Sequence, residues 1–280
     1  MHRFIWFVCV ISTLIGCDLE REIDLELPPY EVQPVVEAYL KPGSPYRLLL
    51  TVSSDYFGPL PDLTRPESFD QLLIEDAAVQ IRHQGEEIEL TSGLSIDFAD
   101  ERIFNYSADE IVPENYDDPF ELDITLANGQ TITATTRIVP VVPIDSLVVE
   151  FDEERDTLAR VLTYVTDPSS TENFYRRMSH FGSLDSLEQD FITNDRFVDN
   201  DLIVFGTNYE YEEGDTVITS LFHLAPDYYE FLESVFLSLE SNGNPFGQPS
   251  TINSNLEGTA NAIGIFTGYG LDRRTTIITR

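Results

Sequence analysis

The stretch from Phe120 to Ile138 constrains this chain more than any other. Phe120, Leu122, Ile124 and Leu126 alternate with polar residues, Asn128-Gly129 follows, and Gln130 to Ile138 resumes the strand-like pattern. Alternation of this period places every second side chain on one face of a strand, and an Asn-Gly pair tolerates the positive φ angles of a tight turn. The two runs are therefore predicted to form a hairpin whose four apolar residues face a core. Val35–Leu40, Arg47–Val52, Ala78–Arg82 and Glu87–Leu90 repeat the pattern between clusters of Gly, Pro, Asn and Asp. Short strands at such spacing are the sign of a β-sandwich or barrel.

A second half follows Val139-Pro140-Val141-Val142-Pro143-Ile144-Asp145, whose prolines mark a boundary. Leu147–Phe151, Leu158–Thr166, Phe174–Phe181 and Thr216–Leu224 read as strands, with Asp167-Pro168 and Glu213-Gly214-Asp215 as turns. One helix is expected from Asp227 to about Ser241. Tyr228, Phe231, Leu232, Val235, Phe236 and Leu239 recur at helical spacing as a core-facing stripe, Asp227 with Glu230 forms a capping box, and Gly243 closes the end. The expected fold class is all-β: two consecutive β-sandwich-like (Ig-like) domains, 30–139 and 147–280, joined by a Pro-rich link at 140–146. The second domain carries the packed amphipathic helix at 227–241.

The amino terminus supplies an address. Residues 1–16 hold Arg3, an apolar run from Phe4 to Ile15 and Gly16, followed by Cys17. The run is too short to span a bilayer and reads as a secretory signal. Leu14-Ile15-Gly16-Cys17 resembles a bacterial lipobox, in which the peptide is cut before the cysteine and the cysteine is acylated. Multiple acyl chains on Cys17 would anchor the protein stably; the alternative is an ordinary signal cut at a nearby small residue. Residues 17–29 then form an acidic tether. Cleavage removes Trp6 and Cys9, so the mature chain has no Trp, and Cys17 is its only cysteine. Disulfides, a thiolate nucleophile and cysteine metal ligands are thereby excluded once Cys17 is lipidated.

Charge narrows the partners. The 280 residues carry 50 Asp+Glu against 16 Lys+Arg, a formal net charge of −34. Such a surface repels phosphate backbones and anionic headgroups, so nucleic-acid binding and polybasic membrane docking are excluded. A hydrophobic fraction of 42% is nonetheless enough for a folded core.

Catalytic motifs are not evident. There is no G-x-S-x-G elbow, and His83, His180 and His223 fall singly in expected strands, without the clustering that zinc needs. Gly264, Gly268 and Gly270 have the wrong spacing for a phosphate loop. No catalytic residue and no cofactor is assigned. Calcium is the open case: Asp195, Asp199, Asn200 and Asp201 crowd one expected loop, and Asn115, Asp117 and Asp118 another, although neither has the EF-hand pattern. The proline-rich stretch from Ser53 to Leu73 offers Tyr56 and Phe57 as a contact surface or as tacks onto the core.

Several short pieces in fixed order carry a family resemblance. They are Cys17 with Glu22-Ile23-Asp24-Leu25 and Pro28, Val35-Val36-Glu37, Pro140 to Ser146, Asp167-Pro168 with Asn173-Phe174-Tyr175-Arg176, and Gly243-Asn244-Pro245-Phe246 through Asn253, Asn255 and Gly258 to Gly264-Ile265-Phe266. Together they resemble the Bacteroidota outer-membrane lipoproteins of domain-of-unknown-function 4249. The resemblance implies an all-β, two-part lipoprotein with no established activity, often encoded beside a TonB-dependent outer-membrane receptor. The acidic residues Asp18, Glu20 and Glu22 after Cys17 loosely resemble a signal for cell-surface display, with periplasmic-facing placement still open. The expected role is a non-enzymatic binding or accessory subunit of such a transporter; the alternative is a free-standing surface binder of glycan, peptide or calcium.

Overall fold

The computed structural model describes residues 31–53, 70–97, 102–168, 171–196, 201–241 and 251–280. Cys17, Tyr56, Phe57, Asp199 and Gly243 lie outside them. Residues from Val32 to Arg280 fold as one unit. Its described residues are all-β with one named helix, as the alternating runs predict.

The first half supplies β1 (Pro34–Leu40), β2 (Pro45–Val52), β3 (Ala78–His83), β4 (Glu86–Asp97), β5 (Arg102–Ile111), β6 (Phe120–Thr125) and β7 (Thr131–Thr136). Strand β4 is long because it serves two partners. Its residues Glu86–Leu90 pair with β3 and those from Thr91 onward pair with β5, with an irregularity between Ser92 and Ser95. The sheet thereby folds over on itself around one core of Val36, Ala38, Leu40, Leu48, Leu50, Tyr106, Ile81, Leu122, Ile124 and Ile132. Phe120, Leu122, Ile124 and Leu126 are all buried, as their alternation requires. The turn between β6 and β7 differs in detail from the expected Asn-Gly type. Only Gly129 has positive φ (82°), and Gly129 N–H donates to Leu126 O while Leu126 N–H donates to Gln130 O. That is a type I turn closed by a bulge at a left-handed glycine.

The second half supplies β8 (Ser146–Phe151), β9 (Ala159–Thr166), β10 (Phe174–Phe181), β11 (Leu187–Asn194), β12 (Leu202–Gly206), β13 (Thr216–Leu224), α1 (Pro226–Ser241), β14 (Glu257–Gly258) and β15 (Ile263–Ile277). A three-stranded sheet, β12-β9-β8, faces β10 and β13 across cores formed by Val165, Tyr175, Phe205 and Leu221 and by Val161, Tyr211 and Val217. Helix α1 covers the opposite face of β10 and β15 through Tyr228, Leu232, Phe231 and Phe236. Each such large apolar side chain, when fully buried, stabilises the fold by roughly 1.5–3 kcal/mol.

The halves are not simply consecutive. β15 runs parallel to β1 through Val35↔Ile263 to Leu40↔Gly268, then antiparallel to β13 through Leu224↔Tyr269 to Thr216↔Ile277. It joins everything into one 12-stranded order, β11-β10-β13-β15-β1-β2-β5-β4-β3-β6-β7-β14. The Pro-rich link lies against this strand. A Cβ on Gly268 would stand 2.9 Å from Ile138 Cα, and one on Gly270 would stand 2.5 Å from Pro140 O. The glycines of β15 are thus explained by backbone crossing backbone.

Two helix details depart from expectation. The first helical residue is Pro226, a position that suits proline because its missing N–H would be unpaired there. Asp227 is therefore inside the first turn, and no capping box forms: its carboxylate accepts from Tyr228 N–H (3.0 Å) and from Asn255 Nδ2 (2.7 Å). Leu239 was expected in the core but is 61% exposed, because the apolar packing of α1 ends at Phe236, one turn before the helix does.

Candidate functional site

Strand β10 turns Arg176, Met178 and His180 to the face that α1 partly covers, since residues two apart share a face. Across the sheet, Arg176 lies beside Phe222 and Met178 beside Ser220, which in turn is beside Arg273 of β15. Beyond the helix this face is open, and Arg102 reaches it from the start of β5. The result is a cavity of about 330 Å³ lined by Arg102, Arg176, Arg273, His180, Met178, Leu184, Asp185, Leu187, Phe222 and Tyr269. Ligand pockets usually span about 300–1,000 Å³, so this one suits a small molecule.

Three guanidinium groups in one pocket stand out in a chain with only 16 basic residues. Each is held in place. Arg102 lies over the ring of Tyr39 at 3.9 Å from its centroid. Arg176 grips Asp190 through two parallel bonds, Nε to Oδ1 at 2.8 Å and Nη2 to Oδ2 at 2.6 Å. Arg273 Nε donates to Ser220 Oγ at 2.8 Å. A guanidinium stays charged at any physiological pH and offers a planar fork of donors matched to carboxylate and phosphate.

His180 completes the lining. It is 4% exposed and its Nδ1 has no partner among the described residues. Burial pushes its pKa down, and the neighbouring Arg273 charge adds to that. The imidazole is therefore neutral at pH 7, with one nitrogen bonded to the Ile218 backbone and Nδ1 left to meet a ligand. Met178, Leu187 and Phe222 supply an apolar floor. The arrangement fits an anion that carries an apolar body.

The other two histidines among the described residues are held by the fold. His83 Nδ1 is 3.1 Å from Pro119 O, with its ring stacked flat on Phe120 at 3.8 Å. His223 Nδ1 lies 2.7 Å from Pro140 O and its ring packs against Tyr175.

Of the first calcium cluster, Asp199 and Asn200 lie outside the described residues. Asp195 Oδ2 accepts from Asn173 N–H at 2.8 Å, while Asp201 sits at φ 55° and uses its backbone carbonyl for Asp167 N–H. Asn115 Oδ1 accepts from both Asp117 and Asp118 N–H groups at 3.0 Å, which uses that cluster to build a turn. Among the described residues no three His, Cys, Asp or Glu side chains come together as a metal site.

The sequence alone does not single out any of the pocket arginines as a site residue. Arg176 appears only within the resemblance motif, and the one local signal was the spacing of Arg176, Met178 and His180 on a strand whose alternate face is also buried. Arg102 and Arg273 join them only through the sheet order.

Fold and pocket together define an all-β protein of packed sheets with a helix-flanked, arginine-lined pocket. The chain belongs to the family described as domain of unknown function (DUF4249), whose pattern matches residues 20–275. No curated protein matches the sequence. Among solved structures it is similar to one titled "Cytokine receptor complex - Crystal form 1A", at 8% identity over 87% of this chain and 95% of that one, with a TM-score of 0.26. A likeness that slight carries no argument.

Proposed function

We propose that this protein is a lipid-anchored outer-membrane binding protein that holds a small anionic ligand in the Arg102–Arg176–Arg273 pocket. The observation that carries the binding reading is the convergence of three fixed guanidinium groups and a neutral His180, whose Nδ1 has no partner among the described residues, over an apolar floor. Guanidinium groups bind and orient anions but have no proton to give at neutral pH, which favours a binder over a catalyst. Anchoring through an acylated Cys17 is supported by the lipobox-like Leu14-Ile15-Gly16-Cys17, and display at the cell surface by the acidic Asp18, Glu20 and Glu22 that follow. Service as an accessory subunit of a TonB-dependent receptor is supported by the company that resembling lipoproteins keep.

Calorimetry of the purified protein against inorganic phosphate, citrate and octanoate tests the pocket. Binding of at least one anion, weakened by Arg102→Gln, is expected; titrations flat to millimolar concentration would overturn it. Purification of the lipidated protein from native membranes in mild detergent tests the partner, and recovery without a β-barrel receptor would remove that part.

A further inference from the structure

Arg177 points to the opposite face of β10 from the anion pocket and is only 5% exposed. Its Nη1 donates to Ser179 Oγ (3.2 Å), and its Nη2 donates to Gln189 Oε1 (2.9 Å) and to Gly206 O (3.0 Å). Its Nε has no partner, and no carboxylate lies within ion-pair distance among the described residues. A buried arginine is normally paired, because taking a charge out of water costs several kcal/mol unless an opposite charge compensates.

This arginine lines a second cavity of about 560 Å³. One wall is β11 from Glu188 to Phe191, and the other is β12 from Val204 to Gly206. β11 ends the 12-stranded order and β12 ends the three-stranded one, so both walls are free sheet edges among the described residues. Free edges present a row of unpaired N–H and C=O groups that an added strand can take up. Both also expose apolar side chains: Phe191 is 52% exposed, Leu202 46% and Val204 46%. The two carboxylates lining the cavity are engaged elsewhere, Asp190 by Arg176 and Glu188 with Ser186 Oγ.

We propose that the seam between β11 and β12 receives an extended peptide segment, added as a strand, whose inward-pointing Asp or Glu side chain pairs with Arg177. Alternate side chains of such a strand would enter the cavity, and the others would cover Phe191 and Val204. The missing carboxylate beside Arg177 selects an acidic side chain at the central inward position. This inference stands independently of the anion pocket, which lies on the other face of β10.

The test uses the purified protein and a fluorescein-labelled nine-residue peptide of alternating threonine and valine with one central glutamate, beside its glutamine counterpart. Anisotropy is expected to show saturable binding of the glutamate peptide, with the glutamine peptide about tenfold weaker, as loss of one charge-assisted pair implies. Hydrogen exchange should slow at β11 and β12 amides. Val204→Asp, at an exposed position, should abolish binding without changing the melting temperature, which guards against the case in which Arg177→Gln fails to fold. Equal affinity for the two peptides, absence of binding at millimolar concentration, or protection confined to other strands would overturn the proposal.

Discussion

His223 Nδ1 and the carbonyl oxygen of Pro140, 2.7 Å apart, tie the Pro-rich link to the central strand β13. The imidazole is neutral in this bond and donates its Nδ1–H. Burial pushes its pKa down, and the Pro140 carbonyl only partly offsets that. The unfolded chain therefore binds a proton at His223 more readily than the folded one. The stability His223 contributes is fully present above its unfolded pKa of about 6.5 and is lost as the pH falls below it.

Two outcomes follow for His223. Replacement by Ala leaves the Pro140 carbonyl short of its donor and should cost about 1–3 kcal/mol, read as a lower urea midpoint at pH 7.5. His223→Gln keeps a donor but cannot titrate, so its stability should fall less between pH 7.5 and pH 5.5 than that of the native chain. Parallel pH profiles would contradict the assignment. His180 is shifted the same way and contributes to the native slope in both proteins.

Asp167 should behave oppositely. It is 5% exposed, accepts the Tyr175 hydroxyl, and has its pKa raised, first by burial and then by the nearby Asp195 charge. The folded state holds this proton more tightly than the unfolded one. The corresponding stability is present below the unfolded pKa and is lost as the pH rises through the folded value. Asp167→Asn retains an acceptor for Tyr175 and removes the charge, so it should be neutral to stabilising at pH 7 and lose that advantage near pH 4. Differential melting of the two proteins across that range checks it.

Gly268 and Gly270 should be intolerant of even one carbon. An alanine at either must displace the backbone at Ile138 or at Pro140 and Val141, since neither contact is a flexible side-chain tip alone. Overpacking of this kind costs about 1–3 kcal/mol or more. Gly93→Ala, where nothing lies within 4 Å, is the control and should stay within about 0.5 kcal/mol. Thermal unfolding of the three variants separates them.

The pocket arginines should divide by what they hold. Arg102→Gln removes a charge stacked on Tyr39 and should weaken anion binding about tenfold or more with little loss of stability. Arg176→Gln leaves Asp190, whose side chain is only 16% exposed, without its bidentate partner. It should cost up to roughly 3 kcal/mol in addition to affinity. Calorimetry beside chemical denaturation distinguishes the two.

Legibility from sequence followed the range of the cause. Strands β6, β7, β10 and β13 are visible because an alternating pattern is a local consequence of one buried face. α1 is visible for the same reason at its own period, except that Leu239 has the right spacing and no surface beneath it. β15 is not legible as a strand: Gly264, Gly268 and Gly270 look like loop residues until the chain at Val36, Ile138 and Pro140 is seen pressed against them. The pocket was illegible for a similar reason, since Arg102, Arg176 and Arg273 become neighbours only when β15 lies between β1 and β13.

That placement of β15 also dictates a timetable. Ile263 to Ile277 emerge from the ribosome after both β1 and β13, yet β1 and β13 have no other strand between them. Until those residues arrive, β1 and β13 each keep an open edge on the side that β15 will occupy. The sheet can close only after Ile263 to Ile277 have been made. A chain stalled or truncated before Ile263 is therefore expected to remain aggregation-prone and protease-sensitive however much of its first half has already been made.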